Sequence, residues 1–216
     1  MMNLFGGSLH PDFSDNRYIE YAGWIPIVKI VTNNSYCSGT IINSRFILTI
    51  KHAIEYQSKI QIIFDNQILK YKNITTHPKM DICIIELQDA VIANSLEFYE
   101  SLDLVGKMCV IGGYGICKKI GKDPRLDGHK RAGNNIIVWE SSDLFECCMD
   151  GLNPVDLEFI STPGDSGGPV LINNQLVGIN QYVKADDNNP DSSEGDRSGH
   201  IKISSIRSWI NKHISN

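Results

Sequence analysis

The sequence predicts an all-β protein of antiparallel strands closed by a C-terminal α-helix. Short runs rich in β-branched residues recur along most of the 216 residues, and turn-forming residues separate them at hairpin distance. No long amphipathic helix falls between the runs, which disfavours parallel βαβ units. The first cluster comprises Ile25 to Val31, Gly39 to Ile42, Phe46 to Ile50, Ile60 to Phe64, Ile68 to Tyr71 and Asp81 to Leu87. Asn43-Ser44-Arg45 and Asp65-Asn66 supply two of its turns. Met108 to Ile111, Ile136 to Trp139, Leu157 to Ile160 and Pro169 to Ile172 form a second cluster, and Asn173-Asn174 turns the last run into Leu176 to Tyr182. Two clusters on either side of about residue 105 predict two similar barrels, about 18–104 and about 107–203, within one domain spanning 1–216. Ile206, Trp209, Ile210 and Ile214 follow helical spacing after Ser204-Ser205, so a helix is expected over about 204–215. Gly121 to Asn135 and the acidic stretch Lys184 to Gly199 read as exposed loops.

Composition narrows the function. Twenty basic against 25 acidic side chains give a formal charge of −5, which excludes a strongly basic nucleic-acid binder. Lys29, Arg45 and Lys51 interrupt the hydrophobic runs, so no membrane span is expected. The first basic residue is Arg17, and Met1 to His10 has neither a charged leader nor a continuous apolar segment; no signal peptide is expected. Cys37, Cys83, Cys109, Cys117, Cys147 and Cys148 read as reduced thiols. No second Cys-x-x-Cys or His-x-x-x-His pair completes a thiolate site around Cys117, Cys147 and Cys148, so neither metal nor cofactor is expected.

One segment carries chemistry. Pro163-Gly164-Asp165-Ser166-Gly167-Gly168-Pro169 lies between two strand-like runs, and three glycines around one serine imply a tight turn that exposes the hydroxyl and converges backbone amides. A serine alcohol needs a general base and a group that fixes the base's tautomer. His52 follows the run Leu48-Thr49-Ile50-Lys51, and Asp81 opens the apolar run Ile82-Cys83-Ile84-Ile85.

With these segments in order, the sequence resembles the trypsin-like (chymotrypsin-fold) serine proteases over almost its whole length. Tyr36-Cys37-Ser38-Gly39-Thr40-Ile41-Ile42 is similar to the strand before the family's histidine, and Phe46 to His52 to the histidine segment. Asp81-Ile82 resembles the aspartate segment, and Gly164 to Pro169 is the serine motif unaltered. Gly112-Gly113-Tyr114-Gly115 resembles a glycine-tryptophan-glycine turn with tyrosine in place of tryptophan, and Ser208-Trp209-Ile210 the closing helix. The resemblance implies two Greek-key barrels and a serine endopeptidase. In it His52 takes the proton of Ser166, Asp81 orients the imidazole, and the amides of Gly164 and Ser166 hold the oxyanion.

It further implies that Asp165 pairs with a new amino terminus, and Leu4-Phe5-Gly6-Gly7 resembles that terminus, so removal of Met1 to Asn3 is expected to activate the enzyme. Family bridging partners are absent: Ala53 follows His52, Ile172 stands where Cys109 expects a cysteine, and Thr162 where the pocket bridge begins. Together with the missing leader, this favours an intracellular protein over the alternative, a secreted one. In the substrate pocket, Ile160 occupies the floor position beside Ser161, and Gln181-Tyr182-Val183 resembles the strand that pairs with substrate. Val183 in place of glycine is expected to narrow the pocket toward small or medium apolar side chains, unless the acidic loop lends a carboxylate. The expected partner is a polypeptide substrate, restrained by a protein inhibitor or activator, and the chain is expected to be a monomer. The alternative is a catalytically silent homologue serving as a binding or regulatory module, because Ile50 and Lys51 bring bulk next to His52.

Overall fold

The computed structural model describes residues 7–9, 13–33, 35–119, 125–149, 155–185, 188, 192 and 194–214. Strand β1 (Gly7–Leu9) and helix α1 (Asp15–Ala22) lead into β2 (Ile27–Val31), β3 (Tyr36–Asn43), β4 (Phe46–Ile50), β5 (Gln61–Phe64), β6 (Gln67–Leu69), β7 (Tyr71–Thr76) and β8 (Ile82–Leu87). β9 (Met108–Gly113), β10 (Cys117–Lys119), β11 (Arg131–Glu140), β12 (Leu144–Cys148), β13 (Pro169–Ile172), β14 (Gln175–Lys184) and β15 (Arg197–Lys202) follow, and α2 (Ile203–Ile214) closes the chain.

The strands make two barrel-like antiparallel sheets. The second is a closed barrel in the order β11-β12-β15-β14-β13-β9, whereas the first is a seven-stranded open sheet, β6-β5-β2-β3-β4-β8-β7. The asparagine-rich turns behave as their residues dictate: Asp65 and Asn66 (φ 46° and 63°) join β5 to β6, and Asn173 and Asn174 (φ 50° and 64°) join β13 to β14. α2 buries Ile203, Ile206 and Ile210 in a cluster shared with Leu48, Ile50 and Ile82 of the first sheet and Leu171, Ile179 and Ile201 of the barrel. One apolar core thus fixes the two sheets against each other, and burial of aliphatic side chains is the main term holding them there.

Several elements differ from the sequence expectation. Helix α1 was unforeseen; it buries Tyr18 and Ala22, four residues apart on one face, and the Tyr18 hydroxyl donates to the Glu158 carbonyl at 3.1 Å. β11 begins at Arg131, inside the segment read as an exposed loop. The Arg131 side chain is 4% exposed because Asp15 (Oδ1, 2.6 Å from Nε) and Asp127 (Oδ2, 2.6 Å from Nη2) neutralise it, and both carboxyls lie below their ordinary range, Asp127 at about 2, through those hydrogen bonds. β15 likewise takes its first residues from the segment read as an acidic loop, while Leu157 to Ile160 makes only isolated bridges, Leu9 to Phe159 and Asn134 to Glu158. β1 pairs in parallel with β10, and the isolated bridges Asn134 to Glu158 and Phe98 to Leu176 are also parallel, whereas the two barrel-like sheets are antiparallel throughout. The six thiols are unbridged, and Cys109 lies 3.5 Å (Sγ to Sγ) from Cys147 rather than near a partner beyond the serine motif.

Candidate active site

The pairing of β4 with β8 sets Ile50 opposite Ile82, so the residues just beyond β4 and just before β8 emerge at the same end of the first sheet. His52 and Asp81 occupy those positions. Asp81 accepts twice from His52: Oδ1 from the backbone amide at 2.8 Å, and Oδ2 from the ring at Nδ1 at 2.6 Å. That contact requires the proton on Nδ1, which leaves Nε2 as a base. The hydrogen bond to Asp81 raises the imidazole above its usual value, with burial opposing it. Burial alone would raise Asp81, but the bonds from the His52 ring and amide and from Gln181 outweigh it and hold the carboxyl below its usual value. Lys51 turns to Glu55 at 3.1 Å, so its length is spent on an ion pair within the turn.

The barrel supplies the serine turn. β13 pairs with β14 so that Pro169 faces Ile179, which sets residues 164–168 beside Asn180 and Gln181. Asp165, Gly167 and Gly168 spend their amides on Thr162, Asn180 and Asp165 carbonyls, each at 2.9 Å. Among the described residues the amides of Gly164 and Ser166 have no acceptor in the chain. Two free amides flanking a serine hydroxyl are the donors an oxyanion requires. Gly164 has φ 101°, and a Cβ there would run into the Tyr36 ring; no other residue fits.

The turn is propped from both sides. Ser38 donates its hydroxyl to the Gly164 carbonyl at 2.8 Å, Thr40 donates to Gly167, and Thr49 to the Ser38 carbonyl. From the barrel, Asn180 Nδ2 donates to the carbonyls of Gly112 (3.0 Å) and Asp165 (3.3 Å). Its Oδ1 therefore accepts from His200 Nδ1, so His200 Nε2 is unprotonated and accepts from Ser198. Burial keeps His200 neutral and pushes it down to about 3. The sequence assigns none of these residues a supporting role: Ser38, Thr40 and Thr49 fall within the family-like segments and Asn180 within a strand-like run, but each acts on residues distant in the chain.

Asp165 is fully buried. Oδ1 accepts from the Gly115 amide at 2.6 Å, and Oδ2 from the amide and hydroxyl of Thr162 at 2.9 Å each. Burial raises the carboxyl to about 6, and these donors resist the rise. Leu4, expected to furnish an amino terminus for Asp165, lies outside the described residues.

A cleft of ≈ 230 Å³ opens beside Ser166 and includes Ser161, Gln181, Tyr182 and Val183 in its wall. Ile160, expected as its floor, is fully buried and is not among the lining residues. Gln181 connects the two halves, since its Nε2 donates to Asp81 Oδ2 at 3.3 Å while its side chain borders the cleft of Ser166. Among the described residues no hydrogen bond joins His52 to Ser166, a looseness common before substrate binds. No group of three or more histidine, cysteine or acidic side chains gathers as metal ligands among the described residues.

Comparison with known proteins bears on the family and the fold. A peptidase of Corynebacterium glutamicum (strain R), described as uncharacterised, is 24% identical over 201 residues, covering 88% of this chain and 69% of its own. The trypsin of Sus scrofa is 27% identical over 219 residues, covering 87% and 89%. Neuropsin, a serine protease expressed in the limbic system of mouse brain, shares the fold with a TM-score of 0.73 at 16% identity, over 89% of this chain and 95% of that one. The sequence model of the Trypsin family matches residues 15–210, and the chain belongs to this family of trypsin-like serine proteases.

Proposed function

We propose that this protein is a serine endopeptidase whose nucleophile is Ser166, whose base is His52 and whose orienting carboxylate is Asp81. The observation that carries the reading is the pair of unused amides at Gly164 and Ser166, beside a cleft bordered by Gln181, which donates to the same Asp81 carboxylate that orients the His52 imidazole. His52 Nε2 accepts the Ser166 proton as Oγ attacks the peptide carbonyl, and the C=O π electrons move onto oxygen, where the two amides stabilise the charge. The protonated imidazole then gives its proton to the leaving amine, and the acyl-enzyme is released by water that His52 deprotonates in turn.

The test is exposure of the full-length chain to a fluorophosphonate, followed by intact mass and peptide mapping. A single adduct on Ser166, absent from Ser166→Ala and His52→Ala, is expected. Running a chain that begins at Leu4 alongside shows whether processing adds to the reaction. No adduct in either form would turn the assignment toward a silent binding homologue.

A further inference from the structure

Among the described residues, the buried side-chain polar atoms that find no hydrogen-bond partner are Tyr36 Oη, Ser161 Oγ and Gln181 Oε1. A buried polar group without a partner is costly, and chains rarely keep one without a use for it. Two of these atoms belong to Ser161 and Gln181, residues that line the cleft beside Ser166. Ser161 is 4% exposed; its carbonyl accepts from the Ser192 hydroxyl at 2.9 Å, and its own hydroxyl, without a partner, is both a donor and an acceptor. The orientation of Gln181 is set by Asp81: the amide nitrogen faces the carboxylate, so the free atom is an acceptor only. Asn180 borders the same cleft, but its amide is fully engaged with Gly112, Asp165 and His200.

The unmet valences in the wall are therefore one hydroxyl and one carbonyl oxygen, and none of the described lining residues carries a charge. A lysine or arginine side chain placed there would be desolvated without a counter-ion. An apolar side chain would leave both atoms unmet, and a carboxylate would face the Gln181 oxygen with Asp81 behind it. A primary carboxamide answers both, its N–H donating to Gln181 Oε1 and its oxygen accepting from Ser161 Oγ–H. We infer that the cleft selects a carboxamide side chain, so that cleavage follows glutamine or asparagine, with Ser161 as the specificity-determining residue. This rests on the protease assignment above and differs from the apolar preference expected from Val183.

The experiment uses the full-length protein and peptides identical except at the residue preceding the scissile bond, which is glutamine, asparagine, glutamate, methionine or lysine, with fluorophosphonate labelling of Ser166 measured in parallel. The expected result is a kcat/KM for the carboxamide peptides at least tenfold above the others. Ser161→Ala is expected to lower the glutamine-to-methionine ratio about tenfold, and Ser161→Thr, which keeps the hydroxyl, to restore it; a general loss of folding would scale both peptides alike. Labelling of Ser166 with a preference for lysine, a preference for methionine, or a ratio indifferent to Ser161→Ala overturns the inference alone. Absence of labelling overturns the protease assignment and the inference with it.

Discussion

Ser38 and Ser166 are joined through their main chains, the amide of the first donating to the carbonyl of the second at 2.9 Å. The bond crosses from the first sheet to the serine turn of the barrel, and the Ser38 hydroxyl adds a second tie to Gly164 while accepting from the Tyr114 amide at 2.8 Å. Ser38 is fully buried, so these bonds are shielded from competing water.

Ser38→Ala removes the side-chain half of this connection and leaves the Gly164 carbonyl and the Tyr114 amide unserved. A loss of about 1–3 kcal/mol in unfolding free energy is expected. Phosphonylation of Ser166 should slow by roughly tenfold or more, since small displacements of reacting groups cost heavily. Denaturant titration and labelling rate measured on the same preparation check both.

Because Asp81 raises the His52 imidazole, the acid limb of kcat/KM should lie above the ordinary histidine value of 6.5: the base is lost as pH falls through the raised value. Asp81→Asn removes the carboxylate that raises it and favours the wrong tautomer. Its limb should move down in pH and its kcat fall by roughly a thousandfold or more. A pH–rate profile of both proteins is the measurement.

His200 makes acid the weak side of the fold. Its folded value of about 3 lies below the ordinary 6.5, so the stability it supports is present above 6.5 and is lost as pH falls toward 3. The full difference corresponds to roughly 4–5 kcal/mol as an upper bound. His200→Gln, which cannot be protonated, should start less stable at pH 7.5 but show a flatter decline between pH 6.5 and pH 4 in urea titrations.

Asp165 works in the opposite direction. Its folded value of about 6 exceeds the ordinary 3.8, so its contribution is greatest below 3.8 and falls as pH rises through about 6. The Thr162 hydroxyl supports the ionised form, so Thr162→Val should raise that value further. The stability gap between wild type and Thr162→Val should therefore be wider at pH 8 than at pH 4.5, by about 1–2 kcal/mol; equal gaps would show that the hydroxyl does not sense the charge.

How much of this was legible depended on whether a residue's task was local. β4 and β13 announce themselves because all of their residues are buried and mostly aliphatic. β12 and β15 do not, because their buried positions include Glu146, Ser198 and His200, whose burial is tolerated only through partners elsewhere: Tyr182 donates to Glu146, and Asn180 accepts from His200. The open edge of the first sheet could not be read either, since closure depends on strand pairing rather than on strand composition. His52, Asp81 and Ser166, the residues of the proposed triad, stand out in the sequence by motif and order. The contacts of Ser38, Asn180 and Gly115 do not show there: a serine in a strand looks like any other, and the glycine at 115, although part of the Gly112 to Gly115 turn, shows its role only once the Asp165 carboxyl is seen filling the space a side chain would need.

The closeness of Gly167 to the first sheet has an evolutionary consequence. A Cβ at that position would overlap the Ser38 carbonyl oxygen and the Thr49 hydroxyl, and Thr40 caps the Gly167 carbonyl from the same side. The serine turn and strands β3 and β4 therefore fit to within a methyl group between the two halves of the chain. Recombination with a diverged relative near residue 105 would exchange one half of that fit without the other, so the two halves must be inherited together.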